Sequence, residues 1–203
     1  VGTNYSQSEP NDLETNLKSA SFKQKFETAN SFMEDHLYEF ASQVLLNLVE
    51  EQPDNSNINY KLGLCYLYSS LDRSKALKYL LVADKNVSKK YDPFSSSETK
   101  APFETHLYLG QAYHLNGNFD DALLKYQKFR EETSEKHILS SRNEMYTIYS
   151  INAKKEVAAK KKFQITNLGI PLNGKFSDFS PVITADESTI FFTSRRVRPL
   201  YYV

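Results

Sequence analysis

Small residues recur at a fixed interval in this chain, and that recurrence limits the fold more than any other feature. Ala29 is followed three positions later by Phe32, Gly63 by Tyr66 and Gly110 by Tyr113. Twelve or thirteen residues after each comes a second small residue, Ala41, Ala76 or Ala122, and four beyond that a bulky one, Leu45, Leu80 or Tyr126. Ala29 and Gly63 are 34 residues apart, and Gly63 and Gly110 are 47 apart. The excess in the second interval matches a Ser-, Pro- and Lys-containing stretch at residues 87–102. Two antiparallel helices that cross closely need a small side chain at the crossing and a large one beside it. Each such pair leaves one face bare, so successive pairs stack to cover it.

The rest of the pattern agrees. From Phe22 to about Phe163 apolar residues return every three or four positions, the spacing of helix after helix. Short breaks separate them at Glu34-Asp35-His36, Gln52-Pro53-Asp54-Asn55, Ser69 to Arg73 and Asn116-Gly117-Asn118, and residues 87–102 read as a surface loop. Residues 1–20 are polar and read as a disordered lead-in. After Phe163 the residues Gly169, Pro171, Gly174 and Pro181 end helical spacing. β-prone runs follow at Pro181-Val182-Ile183-Thr184 and Thr189-Ile190-Phe191-Phe192-Thr193, a hairpin turning across Ala185 to Ser188. The expected organisation is therefore a lead-in at 1–20, a helical repeat domain at 21–163 and a β segment at 164–203.

On these residues the chain resembles the tetratricopeptide repeat (TPR) family. Residues 105–129 carry Leu109-Gly110, Tyr113, Gly117, Phe119, Ala122, Tyr126 and Phe129 at that motif's positions. Residues 22–55 match at Ala29, Phe32, Tyr38, Ala41, Leu45 and Pro53. Residues 57–88 match at Leu62-Gly63, Tyr66, Ala76 and Ala83, with one extra residue in the turn. Three tandem matches at this period are a strong signal. The resemblance implies an all-α, TPR-like helical solenoid of about three repeats. A helix over residues 135–162 would close the stack with a polar outer face, and a short C-terminal β segment would follow. Lys154, Lys155, Lys160, Lys161 and Lys162 on that last helix read as a solvated end with cations near the negative pole, in preference to a polyanion patch.

The tail carries a second resemblance. Ser177-Asp178-Phe179-Ser180-Pro181, Asp186, Phe191-Phe192 and Ser194-Arg195 are similar to the repeat of TolB-type, WD40-like β-propellers, although Thr184-Ala185-Asp186-Glu187 lacks the glycine of the usual turn. One hairpin is not a propeller, which needs about four blades, so the segment reads as a fragment of one. Residues 200–203 are a candidate third strand. Repeats followed by this motif resemble Bacteroidetes outer-membrane-associated proteins that end in an OmpA-like peptidoglycan-binding domain, some serving type IX secretion and gliding. No OmpA-like residues are present, so that part is analogy. The chain starts at Val1 and not Met, which fits either an expressed fragment or a mature chain that has lost a leader, and the tail favours the second.

Composition narrows function by exclusion. With 25 basic and 25 acidic residues the chain has no net field to gather nucleic acid or anionic membrane. Its one cysteine, Cys65, excludes an internal disulfide framework, and no apolar run nears the roughly 20 residues of a membrane span. No catalytic motif is found: GxSxG, the P-loop, GxGxxG and HExxH are all missing. His106 and His114 lie two turns apart, too far to share a metal; they, His36 and His137 read as packing or surface residues. Cys65, between Gly63 and Tyr66 with no histidine in its repeat, reads as a buried thiol. No cofactor, metal or catalytic residue is expected.

A docking surface remains. In the family the first helix of each pair lines a concave groove. The corresponding residues here are Phe26, Asn30 and Met33, then Tyr60, Leu64, Leu67 and Tyr68, then Leu107, Gln111 and His114. Such an aromatic and aliphatic lining suits an apolar helix or extended peptide, and the competing reading packs several of these against the next repeat or the Ser/Pro loop. Phe26, Tyr60 and Leu107 stand where carboxylate-binding arrays place lysine or other polar groups, which argues against a cytosolic co-chaperone. The expectation is a non-enzymatic protein–protein interaction scaffold of the bacterial periplasm, associated with the outer membrane and with secretion or motility components. A cytosolic TPR adaptor for a partner's peptide or helix is the alternative. An enzyme or its regulatory domain is a third reading, which would need turnover dependent on Cys65 or a histidine.

Overall fold

The computed structural model describes residues 19–160, 164, 166–167, 169–170 and 175–196. The chain divides into two compact units, residues 1–160 and 161–203. The expected lead-in at 1–20, Lys161, Lys162, Pro171, Gly174 and the candidate third strand lie wholly or mostly outside the described residues.

The first unit is helical: α1 Phe22–Glu34, α2 Tyr38–Glu51, α3 Ser56–Tyr68, a 3-10 turn Arg73–Lys75 running into α4 Ala76–Ala83, α5 Thr105–Leu115, α6 Phe119–Glu132 and α7 Ser140–Ala158. Each helix packs mainly on the helix before it and the helix after it. The result is a TPR-like succession of antiparallel hairpins. Caps fix where helices begin. Ser21 and Gln24 form a reciprocal capping box on α1, and the Asn55 side chain accepts from Ile58 N to start α3.

The small residues sit at the crossings. A Cβ placed on Gly63 would lie 2.6 Å from Leu80 Cγ, and one on Gly110 would lie 2.6 Å from Tyr126 Cδ1. Ala29, Ala41, Ala76 and Ala122 are fully buried with Leu45, Leu80 and, nearly so, Tyr126. One core runs from Phe26 through Leu45, Leu48, Ile58 and Leu62 to Leu109 and Ala112; a second joins Leu107, Ala122, Tyr126 and Phe129.

The turns explain one residue the motif does not anticipate. After α5, Gly117 has φ +78°, with Gly117 N bonded to His114 O and Asn118 N to Tyr113 O, the paired bonds of a Schellman ending. After α1 the same pair forms, His36 N to Met33 O and Leu37 N to Phe32 O, with His36 at φ +59° where glycine would be relaxed. His36→Gly is therefore expected to stabilise the chain by up to about 1 kcal/mol, seen as a higher melting temperature by circular dichroism.

Two expectations are corrected. The closing helix starts at Ser140 and not at 135: His137 N bonds to Ser134 O and Ser140 N to His137 O. The His137 ring packs edge-on against Phe103 and Phe129, which holds this stretch as a turn. Nor is the outer surface of α7 polar, because Met145, Ile148, Tyr149 and Val157 are all exposed. Lys154 pairs with Asp120, in keeping with a solvated helix end.

In the second unit β3 Asp178–Ile183 and β4 Ile190–Ser194 form an antiparallel hairpin with Val182 opposite Phe191 and Ile183 opposite Ile190. A bulge between Phe179 and Val182, with Ser180 at φ +54°, accommodates Pro181 inside the strand. The Asp186 carboxylate accepts from Thr184 and Ser188 and shapes the turn. Val182, Ile183 and Phe191 remain exposed. A two-stranded hairpin on its own is marginal in water.

Candidate docking face

The ten residues expected to line a groove come together on the first helices of the pairs, but unequally. Phe26 and Leu107 are fully buried and present no surface on this face. Asn30, Leu67 and Gln111 are also buried, Met33, Tyr60, Leu64 and His114 are half-buried, and Tyr68 is 40% exposed.

Asn30, Met33 and Tyr60 lie against residues 87–102, which do not form a free surface loop. Val87–Ser88 and Ala101–Pro102 pair as a short parallel ladder, β1 and β2, with Ala101 fully buried. Between them the chain runs as a strap across α1 and α3. Its Pro93 carbonyl accepts from Asn30 Nδ2 at 3.3 Å and Lys61 Nζ at 3.0 Å. Asn57 on α3 holds it at three points: its backbone N–H donates to Thr99 O, its Nδ2 donates to Glu98 O, and its Oδ1 accepts from Tyr91 OH at 2.6 Å. A turned segment of the chain itself thus already lies on this face, gripped through its backbone by side-chain amides and an ammonium.

Burial sets the electrostatics. Lys61, over the Phe26 ring at 5.3 Å, is lowered to about 8 by desolvation, against the partial support of Cys65, Glu34 and Asp92. Asn57→Ala removes two of the strap's anchors and is expected to cost about 1–3 kcal/mol. Amide exchange over residues 88–100 should quicken while that of α5 and α6 changes little, as mass spectrometry would show.

Beyond the strap the same face carries a run of tyrosines. Tyr91, Tyr60, Tyr108, Tyr68 and Tyr38 contact one another in that order, with neighbouring ring centroids 5.8–6.3 Å apart. Burial raises the hydroxyls of Tyr60, Tyr68, Tyr91 and Tyr108, so they act as neutral phenols. Past Tyr68 a pocket of about 360 Å³ opens among Leu67, Tyr68, Arg73, Gln111, His114, Leu115, Tyr126, Tyr146 and Tyr149. His114 Nδ1 and Ser150 Oγ are hydrogen-bonded at 2.7 Å, and burial lowers His114, which keeps its ring neutral near pH 7.

Side chains that could do chemistry are built into packing. Cys65 is fully buried and its thiol is pushed up to about 12 by desolvation, with Lys61 opposing and Glu39 adding to the shift. His106 is fully buried, its Nδ1 2.7 Å from Asp84 Oδ1 and its Nε2 3.5 Å from Glu132 Oε1, while Lys125 bonds the other Asp84 oxygen. This cluster joining α4, α5 and α6 was not legible from spacing, because its members come from three helices. Among the described residues no three His, Cys, Asp or Glu side chains group as a metal site, and no helix is long and apolar enough to cross a membrane.

No protein-family model matches the chain, and no curated protein matches it. Among solved structures it is similar to one described as the crystal structure of MamA protein, at 18% identity over 78% of this chain and 81% of that one, with a TM-score of 0.41.

Proposed function

We propose that the chain is a non-enzymatic scaffold whose first-helix face docks another protein. The observation that supports this most is the strap. Asn30, Asn57 and Lys61 hold backbone carbonyls of the strap on that face, so its side chains are suited to gripping a peptide. The tyrosines that continue beyond the strap supply large rigid contact area with a polar tip, the composition of wet protein interfaces.

The finer reading places this scaffold in the bacterial cell envelope, in the periplasm beside the outer membrane. There its repeats would dock a component of an assembly such as type IX secretion, and its β hairpin would belong to a WD40-like propeller. That placement is supported by the motif residues of the tail alone. A cytosolic adaptor for a partner's peptide or helix remains the alternative. A photo-crosslinker at Tyr149, beside the pocket, should yield partner adducts in the native cell, and one at the exposed Lys128 on α6 should not. Adducts equal at both positions would contradict the docking face. Recovery with the envelope fraction would favour the scaffold, and recovery with soluble cytosol the adaptor.

A further inference from the structure

Asn30, Leu64 and Gln111 are equivalent positions, each directly after the small crossing residue of its repeat. Asn30 donates its amide to the Pro93 carbonyl of the strap. Gln111 is buried to the same degree, lines the open pocket, and its Nε2 has no hydrogen-bond partner. A buried amide donor left unpaired is unfavourable, so a ligand that offers it an acceptor is preferred over one that does not. The first repeat shows what such a donor takes at this position: a backbone carbonyl, that of Pro93 in the strap.

The pocket walls define the side chain that accompanies that carbonyl. Leu67, Tyr68, Leu115 and Tyr146 are apolar or ring surfaces, and a volume of about 360 Å³ has room for one aromatic side chain. Arg73 on the rim is exposed and makes no ion pair among the described residues, and no acidic residue lines the pocket. His114 is neutral by burial and adds no opposing charge.

The geometry points to a split docking face. The strap fills repeats one and two, and the pocket between α5 and α7 receives a segment of a partner protein that combines an aromatic residue with an adjacent acidic one. Gln111 binds the backbone carbonyl, the tyrosines hold the ring and Arg73 pairs the carboxylate. This rests on the docking-face reading above and specifies which part of that face is open and to what chemistry.

The test is an NMR titration of the ¹⁵N-labelled full chain with three capped octapeptides: alternating Glu and Phe, alternating Lys and Phe, and alternating Glu and Ala. The Glu–Phe peptide should shift signals of α5 and α7, including the Gln111 side-chain amide, and bind at least about fivefold tighter than the other two. Gln111→Leu should weaken it about three- to tenfold, the loss of one hydrogen bond. Arg73→Glu, at an exposed site, should reverse the preference toward the Lys–Phe peptide. Absence of binding, binding indifferent to both substitutions, or shifts confined to residues 87–102 would overturn the inference. Crosslinks from Tyr149 to a natural partner in the face of any such result would leave the broader docking face standing, whereas loss of those crosslinks would remove it too.

Discussion

Gly110→Leu is expected to abolish the cooperative helical unfolding transition, or to lower its midpoint by more than about 10 °C. The reason is geometric. A first side-chain carbon at this position falls 2.6 Å from Tyr126 Cδ1, and that side chain is only 1% exposed. Overpacking in a tight core costs about 1–3 kcal/mol for an added methylene or two, and a leucine adds four carbons. Against a total stability of about 5–15 kcal/mol, that removes a large share. Gly110→Ala should cost less, because alanine recovers about 1 kcal/mol of helix propensity. Pairing it with Tyr126→Leu should restore part of the loss, giving a coupling of about 1–2 kcal/mol in a double-mutant cycle. A melting temperature that stayed put in Gly110→Leu, followed at 222 nm, would show that α5 and α6 do not cross there.

The second large effect is expected at Asp84. Its carboxylate accepts from His106 and Lys125 and so ties α4 to α5 and α6. Burial would raise this carboxyl, but the hydrogen bonds and charges of His106 and Lys125 outweigh it and bring it from 3.8 to about 2. A folded-state value depressed in this way contributes stability that is complete above about pH 4. It is lost as pH falls through 2. Asp84→Asn strands His106, which is fully buried, and leaves Lys125 without its partner. Breaking a buried pair from one side costs about 2–4 kcal/mol, or about 5–15 °C for a chain of this size. The gap in melting temperature between wild type and Asp84→Asn should be full at pH 7 and shrink toward pH 2. A gap of the same size at both pH values would mean that the carboxylate's charge has no part in joining the repeats.

Much of the stack could be read from spacing, and the parts that could not share a cause. Gly63 with Leu80 and Gly110 with Tyr126 were paired by interval alone, because both members lie within one helical hairpin and the period of the helix fixes which side chains meet. The strap could be seen only as an interruption of the period. Its grip on Asn30, Asn57 and Lys61 links residues 32 to 63 positions apart, and no periodicity encodes such pairings. The same holds for Asp84, His106 and Lys125. The strap's consequence for the docking face is legible only as the competing reading, in which several groove positions pack against the Ser/Pro loop. Family positions select Phe26 and Leu107 by register, but register does not report that each is buried from every side, Phe26 with Lys61 over its ring. The start of α7 was misplaced because Glu135 to Leu139 has helical composition. Tertiary contact of His137 with Phe103 and Phe129 decides otherwise. His36 shows the reverse case, a residue with no glycine signature in a left-handed turn that the flanking helix imposes.

The most direct test of stacked hairpins carrying their own strap is a nuclear Overhauser spectrum of the full chain in solution. Cross-peaks are expected from the Gly110 α-protons to the Tyr126 ring, from Gly63 to the Leu80 methyls, and from the Asn30 side-chain amide to Pro93 and Phe94. Glycine α-protons that see only their own helix, with no strap proton near Asn30, would contradict both the crossings and the occupied face.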